Sequence, residues 1–250
     1  MISEGKNNKK FQIYGYTDIH MHIIPDVDDG ANDMKEALSM LEKASSEGIK
    51  TIIATPHSGA FDGLFNPVKK RYEALKEIAR EKGITIDLRL GAEICVGSKD
   101  IKSVIRNLKK KKYPTMNGTG YVLIEFDLCT DDFCDAEFCV SELTERGYTP
   151  IIAHAERYSY TVDQIYELAE IGCLIQVNYS DVLPGQFKSS DCDKANKMLK
   201  DQRVDFLSTD AHGIEWRKPE IQRAIVYLYE NYDKAYLDKV LFENPKKLII

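Results

Sequence analysis

The chain has 250 residues, with 34 basic against 40 acidic side chains, a net charge of −6 and a hydrophobic fraction of 43%. That composition supports one substantial core, and a barrel of this length commonly forms a single domain. The near-balanced charge gives no global argument for nucleic acid or membrane binding. No apolar run approaches the roughly 18–20 residues needed to cross a bilayer.

The chain opens MISEGKNNKKFQIYGY. This stretch is polar and basic and lacks an apolar signal core, so no secretion signal and a cytoplasmic location are expected. Residues 1–12 are read as an arm outside the fold, and 13–250 as the barrel. Short β-branched runs then alternate with longer amphipathic ones. The pattern predicts strands over 13–20, 51–55, 85–90, 121–125, 150–154, 174–178 and 204–208. Helices are predicted over 33–47, 67–82, 99–111, 134–146, 162–171, 189–201, 218–229 and 233–242. In the first helix Met34, Ala37, Leu38, Leu41 and Ala44 recur at helical spacing. Asp33 with Glu36 predicts a capping box at its start, and Gly48 a C-cap past its end. The basic run 109–112 reads as a solvated helix end, where cations favour the dipole. Roughly seven strand–helix units without a dividing linker predict an α/β fold built as a parallel barrel.

Six cysteines, at 95, 129, 134, 139, 173 and 192, form no CxxC pair. Reduced thiols are expected rather than a disulfide framework. The spacing of Cys129, Cys134 and Cys139 fits no common zinc site. No cysteine is followed five residues later by the arginine that a cysteine-phosphatase loop requires.

The histidines carry the chemistry. All five (His20, His22, His57, His154 and His212) stand at or just past the end of a predicted strand. In a parallel barrel those ends converge on one rim, where active sites lie. Glu93 in LGAE and Asp210 in STDAH occupy equivalent places. Side chains at i and i+2 of a strand share a face, so His20 and His22 point one way, and Asp210 and His212 repeat the arrangement. Closure of the barrel sets the last strand beside the first and brings the two pairs together. Clustered imidazoles and carboxylates need a compensating cation. Their donor set suits zinc, manganese and iron. The acids of DVDDG add charge for a further ion, and Gly30 permits a sharp turn. The reading is a multinuclear metal site.

At these residues the sequence resembles the PHP (polymerase and histidinol phosphatase) superfamily. The nearer likeness is to its bacterial metal-dependent protein-tyrosine phosphatase branch, associated with capsule and exopolysaccharide production. The segments carrying it are DIHMHIIPDVDDGA, IIATPH, GAEI, YVLIEF, IIAHAERY, IQVNYSDV, LSTDAH and ENPKKLI, in that order from about residue 16. The resemblance implies a distorted (β/α)7 barrel with up to three ions, manganese (Mn2+) first and iron or zinc as alternatives. It implies that His20 and His22 bind one metal with Asp210. Glu93 would bridge to a second that His154 helps to hold, and Asp29, His57 and His212 would hold a third. Asp26 and Asp28 receive no firm assignment. Arg157 and Arg217 are implied to engage phosphate.

The expected reaction is hydrolysis of phosphotyrosine by a metal-activated hydroxide, with Arg157 on the nonbridging oxygens. Asp210 or His212 is the candidate to protonate the leaving group. The implied substrate is the phosphotyrosine tail of a bacterial tyrosine kinase of polysaccharide biosynthesis. Tyr158 and Tyr160 either flank its groove or simply pack. Neither nucleic acid nor membrane insertion is expected. Alternatives are a small-molecule phosphoesterase acting on a histidinol-phosphate-like ester, a nuclease, an amidohydrolase, or a non-catalytic metal-binding regulator. The chain departs from the resemblance in its extra dozen N-terminal residues and in the acid- and cysteine-rich segment 127–136.

Overall fold

The structure, a computed structural model, describes residues 15–62, 67–126, 132–186 and 188–249. The expected arm at 1–12, the first two residues (13 and 14) of the expected first strand, and residues 127–131 with Cys129 lie outside the described residues.

Among the described residues there are eight strands, separated by helices except between the third and the fourth. They are β1 Tyr16–Met21, β2 Ile49–Ala54, β3 Asp87–Leu90, β4 Glu93–Cys95, β5 Tyr121–Glu125, β6 Thr149–Ile152, β7 Leu174–Asn178 and β8 Phe206–Ser208. The main helices are α1 Met34–Ser46, α2 Val68–Glu81, α3 Ile101–Lys109, α4 Phe133–Thr144, α5 Val162–Ile171, α6 Ser189–Lys200, α7 Gln222–Asn231 and α8 Lys234–Asp238. All strand pairs are parallel, in two sheets ordered β1-β2-β3 and β4-β5-β6-β7-β8. A helical crossover follows each strand except β3, as parallel pairing demands.

Seven strands were expected and eight are present among the described residues. The segment around Gly91 breaks, so that β3 pairs with β2 while β4 pairs with β5. Backbone bonds stitch this seam: the Gly91 amide donates to the Ala54 carbonyl (2.8 Å) and the Glu93 amide to Pro56 (3.1 Å). At the opposite seam the Asp210 amide donates to His20 and the His22 amide to Ala211, both at 2.9 Å. The sheets therefore meet at both edges, and both seams lie at strand C-terminal ends.

Two apolar layers hold the assembly. The inner one draws Ile19 and Ile53 from the first sheet together with Leu123, Ile151 and Phe206 from the second, and Leu248 joins them from the chain's end. Residues of both sheets can share one cluster only across a common interior. The larger layer packs helices on the outer strand faces; α1 contributes Ala37, Leu38, Met40, Leu41 and Ala44. Full burial of one such Leu or Met is worth about 1.5–3 kcal/mol.

Local expectations hold with three changes. Asp33 caps α1 by accepting from the Glu36 amide at 2.8 Å, but the Glu36 carboxylate turns to the Asn32 amide instead (3.0 Å), so only half of the expected capping box forms. The final helix, expected over 233–242, passes after α8 into a π-helical turn, Lys239–Glu243. Tyr158 and Tyr160 pack with Phe126 in the core and do not flank a groove; their rings stack with centroids 5.4 Å apart. The described cysteines stand as thiols. No described helix is long and apolar enough to cross a membrane.

Candidate metal centre

The site begins with an irregularity in β1. Asp18 pairs with Ile52 and Met21 with Ala54, so β1 advances three residues while β2 advances two. A bulge of this kind re-aims side chains. It lets Ile19 join the inner apolar layer while the next residue, His20, reaches the site. His20 and His22 then converge, with their Nε2 atoms 3.3 Å apart.

Glu93 sits at the centre. Its Oε1 lies 3.2 Å from His20 Nε2 and 3.0 Å from His154 Nε2. Its Oε2 lies 3.1 Å from His22 Nε2 and 3.2 Å from His57 Nδ1. One buried carboxylate thus touches four of the five imidazoles. Asp210 Oδ1 lies 3.3 Å from His20 Nε2. Asp29 Oδ1 lies 3.3 Å from His57 Nε2 and 3.5 Å from His212 Nε2. Three groups of potential ligand atoms result, each within 4.8 Å: His20, His22 and Asp210; His22, Asp29, His57 and His212; and His57, Glu93 and Glu125. The first is wholly buried, whereas the Asp29 side chain is 65% exposed, so the site opens to solvent on that side.

The structure therefore brings all eight sequence-predicted ligands into one cluster. It adds Glu125, which the sequence reading left unassigned. Glu125 Oε1 is 3.1 Å from His57 Nδ1 and its Oε2 is 4.0 Å from His154 Nε2. Its signal was available: it ends the strand run YVLIE, and the strand ends are where the other ligands were sought.

Neighbouring groups fix the imidazole orientations. His20 Nδ1 meets Gln176 Oε1 at 3.1 Å, and His22 Nδ1 meets Asp28 Oδ2 at 2.8 Å. Both partners accept, so each Nδ1 carries a proton and each Nε2 is left facing the centre as the atom available to a metal ion. The Gln176 amide donates to Asn178, and Asn178 donates to Asp210 Oδ2 at 3.1 Å. Asp28 also accepts from the amides of His57 and Gly30. Asp26 faces away, paired with Arg71 at 2.5 Å. Behind β1, buried Asp18 accepts from the His20 amide and from the amide and hydroxyl of Thr209, tying the first strand to the segment that carries Asp210. Burial pushes the Asp18 carboxyl up to about 6. The sequence reading missed Asp18, Gln176 and Asn178 because polar residues inside strands do not announce their partners.

Backbone geometry also serves the site. His154 (φ 36°) and Asp210 (φ 51°) occupy the left-handed region, at a cost of roughly 1–2 kcal/mol each for a residue bearing a Cβ. Gly30 acts by close approach: a Cβ there would lie 2.1 Å from the His22 carbonyl oxygen.

The donor set fits cations. Inward-facing imidazole nitrogens confront carboxylate oxygens, and the buried Asp210 Oδ1 has no hydrogen-bond donor. The titration behaviour agrees. Burial would depress His22, yet its bonds to Asp28 and Glu93 raise it to about 10. Burial would raise Glu93 and Asp210, yet the histidines, joined at Asp210 by Arg217, hold both below the usual carboxylate range. A centre that attracts positive charge this strongly is built for metal ions.

Two arginines complete the rim. Arg157 Nε donates to buried Asp181 at 2.8 Å, and its Nη1 reaches Asp210 Oδ2 at 3.1 Å. Arg217 pairs with Asp210 and meets His212 Nε2 at 3.1 Å. Each keeps 21% of its side chain exposed. Asp210 and His212 are poor proton donors here: Asp210 is held as a carboxylate, and burial beside His22 lowers His212 to about 3.

A parallel α/β fold with a histidine–carboxylate cluster on its C-terminal rim, edged by two arginines, defines a metallohydrolase-type protein. The family model for capsular polysaccharide synthesis proteins, CpsB/CapC, matches residues 16–250, and the chain belongs to that family. It is 31% identical to the tyrosine-protein phosphatase YwqE of Bacillus subtilis over 239 residues, covering 93% of this chain and 91% of that one. It is 29% identical to the tyrosine-protein phosphatase CpsB of Streptococcus pneumoniae over 242 residues, covering 93% and 98%. A crystal structure from work on those two proteins, described there as metal-dependent tyrosine phosphatases, superposes with a TM-score of 0.80 at 28% identity, covering 93% of this chain and 94% of that one.

Proposed function

We propose that this protein is a metal-dependent protein-tyrosine phosphatase of the cytoplasm, acting on a phosphotyrosine tail of a tyrosine kinase in polysaccharide biosynthesis. The observation that carries the reading is the joint placement of Glu93, in contact with four histidines, and two partly exposed arginines at one rim. Family membership and the relatives' phosphatase names support it.

His20, His22 and Asp210 would hold one ion. Glu93 would be shared with a second beside His57, His154 and Glu125, and Asp29, His57 and His212 would hold a third at the open side. Manganese is the favoured ion, with iron or zinc as alternatives. Bound divalent ions supply an activated water nucleophile and neutralise charge on the transferring oxygens.

The chain's own residues do the rest. Asp181 pins Arg157 through Nε and Asp210 holds its Nη1, so its partly exposed guanidinium is fixed at the rim where a phosphoryl oxygen would meet it, and Arg217 converges on the same Asp210 carboxylate. Guanidinium matches phosphate geometry, and preorganised donors aimed at developing charge contribute most in a water-poor site. A phenol leaves with a pKa near 10, so it needs less help from an acid than a serine alcohol does. This suits a rim whose Asp210 and His212 are poor proton donors.

The test compares turnover of a phosphotyrosine peptide and of histidinol phosphate by the manganese-loaded protein. Strong preference for the aryl ester is expected. Preference for histidinol phosphate would assign the small-molecule alternative, and no turnover of either would leave a metal-binding regulator.

A further inference from the structure

The segment after Asp210 carries a feature that the phosphoryl chemistry does not use. Three large apolar side chains are exposed among the described residues: Phe138 (45%), Ile214 (39%) and Trp216 (71%). Two of the three lie on the four-residue stretch between His212 and Arg217. Trp216 is the chain's sole tryptophan.

This stretch is held firmly. The His212 amide donates to the Arg217 carbonyl at 2.9 Å, closing the turn. Gly213 lies so close to the Glu36 carboxylate that a Cβ would be 2.9 Å from Oε1. Arg217 adopts φ 47°, which sends its guanidinium inward to Asp210 and His212. Its chain neighbour Trp216 is left outside. Beside them runs a cleft of about 240 Å³ lined in part by Ser180, Gln186, Thr209, Trp216, Arg217 and Lys218. The lining of the cleft thus includes both the proposed phosphate-binding arginine and the exposed indole.

Burying a tryptophan is among the larger apolar contributions available to a protein, so leaving one in water beside a site marks a recognition surface. A phosphoryl group on Arg217 stands at the tip of the tyrosine side chain, so the peptide backbone that carries it runs over the outer face of the rim, where Trp216 is exposed. We infer that Trp216, with Ile214, is a specificity-determining element that receives an apolar or aromatic residue flanking the phosphotyrosine of a peptide substrate. The inference rests on the phosphatase reading and deepens it. Continuity with the proposed phosphate site singles out a peptide substrate, since a small ester ends before it reaches the indole.

The test measures KM and kcat of the manganese-loaded full chain for a phosphotyrosine peptide with flanking apolar residues and for p-nitrophenyl phosphate. Trp216→Ala is expected to raise the ratio of peptide KM to p-nitrophenyl phosphate KM roughly tenfold. The effect should lie in KM rather than kcat, and Trp216→Phe should restore most of it. Blue-shifted emission from the single tryptophan on adding the peptide supplies a readout independent of turnover. An unmoved ratio in Trp216→Ala, or equal losses on both substrates, would overturn the inference. Were Trp216→Ala to misfold, Trp216→Phe and Ile214→Ser report on the same ratio. A parent protein that cleaves p-nitrophenyl phosphate but not the peptide overturns it together with the peptide substrate, while leaving metal-dependent aryl phosphatase activity intact. A parent that cleaves neither overturns both.

Discussion

Asp28 belongs to none of the three groups of potential ligand atoms, yet three elements of the site depend on it. Its carboxylate accepts from His22 Nδ1 (2.8 Å), the His57 amide (3.0 Å) and the Gly30 amide (3.1 Å), with only 5% of the side chain exposed. Asp28→Ala removes all three acceptors and frees the His22 ring to rotate. Loss of such an orienting carboxylate typically costs 10–100-fold in metal affinity, about 1.4–2.8 kcal/mol. It also strands a buried donor on His22, at about 1–3 kcal/mol of folding stability. For a chain of this size each kcal/mol lowers the melting temperature by about 2–4 °C. Asp28→Asn keeps the shape and one neutral acceptor and belongs at the mild end of both ranges. Calorimetric titration of manganese into chelator-stripped protein reads the first effect, and thermal melts read the second. A folded Asp28→Ala protein that binds manganese within about twofold of the parent would refute the orienting role.

Four further outcomes follow from the same geometry. Glu93→Gln removes the charge shared by four histidines, so manganese affinity should fall by at least about 100-fold, read by elemental analysis after gel filtration. Arg157→Ala should retain its metal while kcat/KM on p-nitrophenyl phosphate falls by roughly 10²–10³, and full activity would remove its phosphate role. Gly30→Ala drives a Cβ into the His22 carbonyl and should cost about 1–3 kcal/mol with loss of metal binding, checked by denaturant titration. In chelator, stability should depend on pH on both sides of neutrality. His22, raised to about 10, contributes stability fully present below its ordinary 6.5 and lost as pH rises toward 10. Glu93, held below its ordinary 4.5, contributes stability present above that value and lost as pH falls. Melts across pH should therefore peak between these values, and a melting temperature still climbing at pH 9–10 would contradict the assignment.

The rim was legible because one rule located it. Each histidine, Glu93 and Asp210 was placed by asking where a β-branched run ends, and parallel strands put those ends together. That rule, applied to YVLIEF, would also have found Glu125. The break at Gly91 was not legible, since the run 85–95 reads as one strand followed by a loop until a second sheet claims its far half. The β1 bulge was equally hidden. Simple alternation gives His20 and His22 a common face, but it cannot show that Ile19 points inward as well. Asp18, Gln176 and Asn178 needed long-range partners, 191, 156 and 32 residues away, to acquire meaning. Tyr158 and Tyr160 show the opposite failure: placed just past His154, they looked available to substrate, but packing against Phe126 removes them from the surface.

The central claim is that the clustered imidazoles and carboxylates exist to hold metal ions that make phosphate ester cleavage possible. Its most direct measurement follows p-nitrophenyl phosphate hydrolysis through exhaustive chelation and stepwise return of manganese, with bound metal counted at each step. The account predicts that activity disappears with the metal and returns in proportion to the ions regained. Full hydrolysis by protein shown to contain no metal would contradict it.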